Sequence, residues 1–381
     1  MQKKQEKKVK KGSNFWGIVF FLLLGAACGY TVIAYSASNL AAGLSFGEYL
    51  MRLGLLLLCI YAAFFLQMIL HEAGHLVFGL LTGYRFSSFR IGSLMWSKEA
   101  GKIRFRRMSL VGTGGQCLMS PPDMKDGKIP YVLYNLGGSL MNILAALVFL
   151  AAYALWGKLP FLGLLFLLLC VSGFGLALMN GIPLRLGTVD NDGYNARSLG
   201  KSPDALFAFW VQMKANEQMA KGARLRDMPE EWFAVPSDEG MKNSMTAVLG
   251  VFAANRLLDT HAFDAAKDLM DRLLSMDTAI VGLHRRLLIC DRLYCELVGS
   301  KDVEVMDRLR SGEQLKFMKQ MGKFPAVIRT EYAYALLQEQ DTPKARQIRD
   351  RFEKRALTYP YAGDLESERE LLRIAEECRG V

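Results

Sequence analysis

Residues 71–75 read His-Glu-Ala-Gly-His. On an α-helix, side chains four positions apart share a face, so His71 and His75 can turn their imidazoles toward one ion. Glu72 stands one step round, within reach of a water held by that ion. This is the H-E-x-x-H pattern, in which two histidines bind zinc and the glutamate acts as general base in peptide hydrolysis. With four histidines in 381 residues, chance produces roughly 0.002 such matches per chain. The pattern also closes an apolar run, LGLLLLCIYAAFFLQMIL at 53–70. Ionisable side chains inside a membrane span cost about 2.5–3.5 kcal/mol each on insertion scales and mark function by default. The plainer alternative is a pair of helix-end histidines reaching out to the lipid interface.

Catalytic zinc takes three protein ligands and keeps a fourth position open. The other two histidines, His261 and His284, fall in the charged half of the chain, where they read as structural or surface residues. The third ligand is therefore expected among carboxylates or cysteines close to the membrane. The last apolar segment ends LMNGIPLRLGTVDNDGYNARS (178–198), where Asn180, Gly181 and Pro183 interrupt a helix. Broken backbone at membrane depth is tolerated only when buried in protein or lining a watery cavity. Asp190 and Asp192 follow. On chemistry alone either can complete the site, and either can instead be a turn acid or helix cap.

The elements that must position these residues are spans. Four apolar segments are expected to cross a membrane, at about 15–36, 50–82, 131–156 and 160–183. The first, at 21 residues from Phe15 to Tyr35, is longer than a signal-peptide core of about 7–15 and is read as retained. Six lysines precede it, the loop at 37–49 has no Lys or Arg, and the loop at 84–130 has nine. The positive-inside rule then places both termini and the 84–130 loop in the cytoplasm, with His71 and His75 in the cytoplasmic half of the second span. The lysine cluster suits an anionic lipid surface, as expected of a bacterial cell membrane. Although the net charge is +10, no basic stripe interleaved with aromatics points to nucleic acid. The seven cysteines are scattered and form no C-x-x-C pair, which gives neither a disulfide framework nor a zinc ribbon.

Within the long loop, YRFSSFRIGSLMW and KIRFRRMSL alternate apolar and polar residues around SKEAGK, the pattern of a β-hairpin. After Ser202 the period turns helical, with helices expected near 242–258, 262–275, 278–299, 303–319, 325–339, 343–356 and 364–378. Segments starting at Leu257 and Leu336 share Leu-Leu, Ala nine positions on, and Leu or Ile twelve on. This fits a tetratricopeptide-like array, and a non-repetitive bundle equally. The domains expected are a basic cytoplasmic tail (1–14), a first transmembrane helix with its outer loop (15–49), a membrane core (50–200) and a cytoplasmic helical domain (201–381).

His-Glu-x-x-His on one span, Gly138-Ser139-Leu140-Met141-Asn142 on the next, and Asn180-Gly181-Ile182-Pro183 followed by Asp192-Gly193 after the last resemble the site-2 protease family of intramembrane zinc metalloproteases. Ser139 stands where that family's second motif has proline, and the interval from Asn180 to Asp192 is longer than in compact members. The resemblance spans about residues 50–197. It implies an all-α polytopic membrane protein of about four transmembrane helices, three forming the protease core, with a membrane-associated β-hairpin. A soluble α-helical C-terminal domain follows. The resemblance also implies His71, His75 and Asp192 as zinc ligands, Glu72 as base, and a cavity lined by Asn142, Gly138, Asn180 and Pro183. Asn142 and Asn180 are candidate donors to an oxyanion. The substrate implied is a membrane protein cut in or near a transmembrane segment, held extended against the hairpin edge. The helical domain would gate the site or bind a cytoplasmic partner. The rival reading is a membrane-anchored adaptor with a vestigial metal site. A prenyl-protein endopeptidase ranks lower, since the Glu230-Glu231 pair it would need as ligand lies in a polar loop.

Overall fold

The computed structural model describes residues 12–39, 45–99, 101–108, 114–159, 161–184 and 190–379. The basic tail over 1–11 and the outer-loop residues 40–44 lie outside the described residues. Helix α1 runs Gly12–Asn39 and α2 Phe46–Leu81. Ser45 starts α2 with a capping box: its hydroxyl accepts from the Glu48 N–H, and the Glu48 carboxylate accepts from the Ser45 N–H at 2.9 Å. At 36 residues α2 is about 54 Å long, well beyond the ~30 Å of a bilayer core. It has room both to cross and to emerge. Helices α3 (Val132–Trp156) and α4 (Leu162–Gly181) follow the loop. By length and composition, α2, α3 and α4 can each cross a membrane, while the described apolar stretch of α1, Leu22–Tyr35, is shorter. Leu24, Cys28 and Tyr35 of α1 pack with Leu164 and Leu168 of α4, and the Tyr35 hydroxyl donates to the Leu159 carbonyl at 3.1 Å.

Small residues bring α2 and α3 together. A Cβ on Gly74 would stand 2.2 Å from the Gly137 carbonyl oxygen, and one on Gly137 2.6 Å from that of Gly74. In lipid, where burial of apolar surface drives little, such close approach is what associates helices.

The loop forms a four-stranded sheet in the order β3-β2-β1-β4, with β1 Arg85–Ile91, β2 Leu94–Glu99, β3 Lys102–Arg107 and β4 Gly115–Ser120. The simple hairpin expected from the alternation is therefore corrected in two ways. The first expected strand is broken at Gly92, whose φ of +58° turns the chain, and most of the SKEAGK segment is strand. The β2/β3 turn falls at Gly101, φ +80°, with Glu99 opposite Lys102 and Trp96 opposite Phe105. The turn is tighter than the polar run suggested because one glycine suffices for it.

The chain separates into two compact units. One holds α1 to α4, β1, residues 114–117 and a short helix α5 (Asp192–Ser198). The other holds β2, β3, residues 118–127 and the chain from Ser202 onward. Within the second unit, Met95 and Met108 join the core of the helical segment, and Lys214 pairs with Asp123 at 2.8 Å. Its helices are α6 (Pro203–Ala220), α7 (Ser244–Asp259), α8 (Phe263–Ser275), α9 (Gly282–Val298), α10 (Val303–Leu309), α11 (Gly312–Gln320), α12 (Pro325–Ala333), α13 (Thr342–Ala356) and α14 (Ala362–Glu377). The helix expected over 303–319 is split, because Ser311 caps a new start by accepting from the Gln314 N–H. The two segments sharing a pattern do share a turn. His261 and Gln340, each four residues after the first leucine, take left-handed φ values of 59° and 55°, and Ala266 and Ala345 are both buried.

Candidate metal centre

The Nε2 atoms of His71 and His75 and Oδ2 of Asp192 converge. The separations are 3.3 Å between the two histidines, 3.2 Å from His71 to Asp192 and 3.4 Å from His75 to Asp192. Both histidines are buried, and the Asp192 side chain is a quarter exposed. Asp190, equal to Asp192 on sequence chemistry alone, is not in this cluster among the described residues.

Each ring is held by its other nitrogen. His75 Nδ1 donates to the Tyr134 backbone carbonyl at 2.8 Å, an acceptor that admits only a donor. His71 Nδ1 is 2.8 Å from Asn142 Oδ1. The Asn142 amide is oriented by the Gln67 carbonyl, which accepts from its Nδ2 at 2.8 Å. In both rings the proton therefore sits on Nδ1, and in the neutral form each Nε2 offers a lone pair. Two such lone pairs and a carboxylate oxygen within 3.4 Å repel one another unless a cation lies between them. Zinc bonds of about 2.0–2.1 Å in a tetrahedron put neighbouring ligand atoms about 3.3–3.4 Å apart. The three observed edges fit that figure, and a partly buried carboxylate with two oriented imidazoles is a donor set zinc accepts.

The supports are specific. Gly138 faces the His71 ring so closely that a Cβ would meet Cε1 at 2.4 Å. Asp192 is placed by its neighbour Asn191, which uses its whole amide. Oδ1 of Asn191 accepts from the Leu184 and Tyr194 N–H groups at 3.0 and 2.9 Å, and Nδ2 donates to the Met179 and Ile182 carbonyls at 2.7 Å each. That ties the end of α4 to the start of α5. Glu72 is buried, and its side chain lies against Gly115, where a Cβ would come within 2.6 Å of Oε1. Arg90, almost wholly buried, braces that segment by donating to the Gly92 carbonyl at 2.7 Å, and Gly92 N–H donates to Gly114 at 2.7 Å.

Not every residue expected in the cavity belongs to this cluster. Asn180 donates to the Leu176 carbonyl of its own helix at 3.1 Å, and Pro183 lies just past the end of α4. Asn142 is committed at both ends, with Nδ2 held by the Gln67 carbonyl and by Gln67 Oε1, so it has no donor left for an oxyanion. Gln67, Tyr134, Asn191 and Arg90 were not singled out from sequence. Gln67 carried a signal, as the only amide in residues 53–70, four positions before His71. Tyr134 carried none, because it acts through its backbone.

No curated protein and no solved structure matches the chain. The family profile of peptidase family M50 matches residues 59–339, a stretch that takes in α2 from Cys59 onward, α3, α4 and α5 and continues through much of the helical half. With the profile covering well over half of its length, the chain belongs to peptidase family M50, the site-2 protease family.

Proposed function

We propose that this chain is an intramembrane zinc metalloendopeptidase that hydrolyses a peptide bond in or near a transmembrane segment of another membrane protein. The observation that carries this reading is the triangle of His71, His75 and Asp192 with tetrahedral edges, beside a buried glutamate. Peptidases of this family are zinc-dependent in general. His71, His75 and Asp192 would hold the zinc, which would supply Lewis acidity to the scissile carbonyl and lower the pKa of water. Glu72 takes the proton from the attacking water as its oxygen adds to the carbonyl carbon. It then delivers that proton to the amine as the C–N bond breaks. Gly115 and the Arg90-braced segment hold the Glu72 carboxyl in place, while Asn142 and Tyr134 hold the imidazoles.

The basic flanks support a topology with both termini and the sheet on the cytoplasmic side of a bacterial cell membrane, with α1 as a fourth span. A substrate segment has to leave its helix to expose a peptide bond, and pairing with a sheet edge would hold it extended. The helical half is then placed to recruit substrate or a cytoplasmic partner. Glu72→Gln in the full-length protein is the test. It should keep the metal and the fold and lose cleavage of a reconstituted transmembrane substrate. Undiminished cleavage by that variant refutes the assignment of Glu72.

A further inference from the structure

Gln67 lies one turn before His71 on α2 with no solvent exposure. Both ends of its side-chain amide are engaged. Nε2 donates to the Leu169 carbonyl of α4 at 2.8 Å, and Oε1 accepts from Asn142 Nδ2 of α3 at 2.7 Å. The Leu169 carbonyl can only accept, so it decides which end of the Gln67 amide is nitrogen. Oε1 must then face Asn142, and Asn142 must answer with Nδ2. Its Oδ1 is left facing His71 Nδ1, which places the ring proton there and turns Nε2 toward His75 and Asp192. The bonds run from the Leu169 carbonyl on α4 to Gln67 on α2, on to Asn142 on α3, and back to α2 at His71.

Room for it is made by Gly173, one turn beyond Leu169. A Cβ there would stand 2.6 Å from Gln67 Nε2 and 3.1 Å from the Ala146 Cβ. A methyl group at 173 therefore cannot coexist with the amide where it now lies.

We propose that Gln67 is a positioning residue for the metal centre, with Gly173 as the gap that admits it. Together they lock Asn142, and through it the tautomer and direction of His71. This rests on the reading of His71, His75 and Asp192 as metal ligands. It gives an otherwise apolar stretch of α2 a polar tether on which metal affinity depends. The Gln67 backbone carbonyl also holds Asn142 Nδ2, so losing the side chain removes part of the tether, and the effect belongs at the lower end of the range for outer ligand partners, about tenfold in affinity.

The experiment compares wild type, Gln67→Met and Gly173→Ala as full-length protein in detergent. Zinc affinity is read by competition with a chromophoric chelator, and ligand geometry by the visible spectrum of the cobalt(II)-substituted protein. Methionine keeps the length and volume of glutamine while deleting its hydrogen bonds. Alanine at 173 leaves Gln67 chemically intact and displaces it. Both variants should bind zinc about tenfold more weakly than wild type and shift the cobalt bands. Wild-type affinity and an unchanged cobalt spectrum in folded variants overturn the proposal, since a merely structural glutamine would lower stability alone. A wild type that binds no zinc fails differently: it overturns the metal reading and takes the tether with it.

Discussion

Replacing Gly138 by alanine should weaken metal binding without removing a polar group from the site. The new Cβ would lie 2.4 Å from His71 Cε1 and 2.6 Å from both ring nitrogens, where ordinary contact begins near 3.4 Å. The ring and α3 must therefore separate by about 1 Å. Asn142 sits on α3 one turn beyond Gly138, so the same separation stretches the 2.8 Å bond between His71 Nδ1 and Asn142 Oδ1 past about 3.6 Å, beyond a useful hydrogen bond. Losing such an outer partner costs about 10- to 100-fold in metal affinity. That is about 1.4–2.8 kcal/mol of binding free energy. Overpacking adds about 1–3 kcal/mol of general destabilisation. The assay is zinc competition on detergent-purified Gly138→Ala and wild type, with a thermal melt of each. Zinc affinity within twofold of wild type, in a folded variant, would show that the ring is not seated against Gly138 and would refute the reasoning.

Three further expectations concern the helical half. Arg329 is fully buried, paired with Asp291 and Glu368 and stacked over the Tyr294 ring at 4.5 Å, so Arg329→Leu should lower its stability by about 3–5 kcal/mol, read by thermal unfolding. Burial raises the carboxyls of Glu368 and Asp364 to about 8 and about 6, against the opposing pull of Arg329 on Glu368 and of the Tyr359 hydroxyl, which donates to Asp364. Both groups hold protons in the folded state that the unfolded chain releases, so this contribution is complete below about pH 4 and is lost as pH rises through 6 and 8. The melting temperature of the helical half should fall between pH 6 and 8.5, and a flat or rising profile would contradict the burial of these acids. His261→Ala and His284→Ala should leave the zinc content unchanged, as measured by atomic absorption.

The centre was legible where chemistry and spacing coincide. His71, Glu72 and His75 share a helix, so a period of 3.6 is enough to foresee their convergence. Asp192 was separable from Asp190 only through the family resemblance, because the choice depends on Asn191 fixing the turn from α4 into α5. Tyr134 could not be foreseen, since any residue supplies a backbone carbonyl. In the sheet, alternation gave strand character but not the break at Gly92, because a glycine inside an alternating run fits a strand and a turn equally. In the helical half most helices fell near their expected ranges. The helical period does not mark Ser311 as the cap that divides 303–319, and it does not reveal α6, whose faces differ little in polarity.

The proposed metal site is made by His71, His75 and Asp192, without Asp190. It is tested most directly by the metal content of detergent-purified full-length protein after equilibration with zinc and desalting. Wild type and Asp190→Ala should each retain about one zinc per chain, while His75→Ala and Asp192→Ala should retain almost none. Zinc lost with Asp190 and kept with Asp192, or no zinc in a well-folded wild type, would contradict the account.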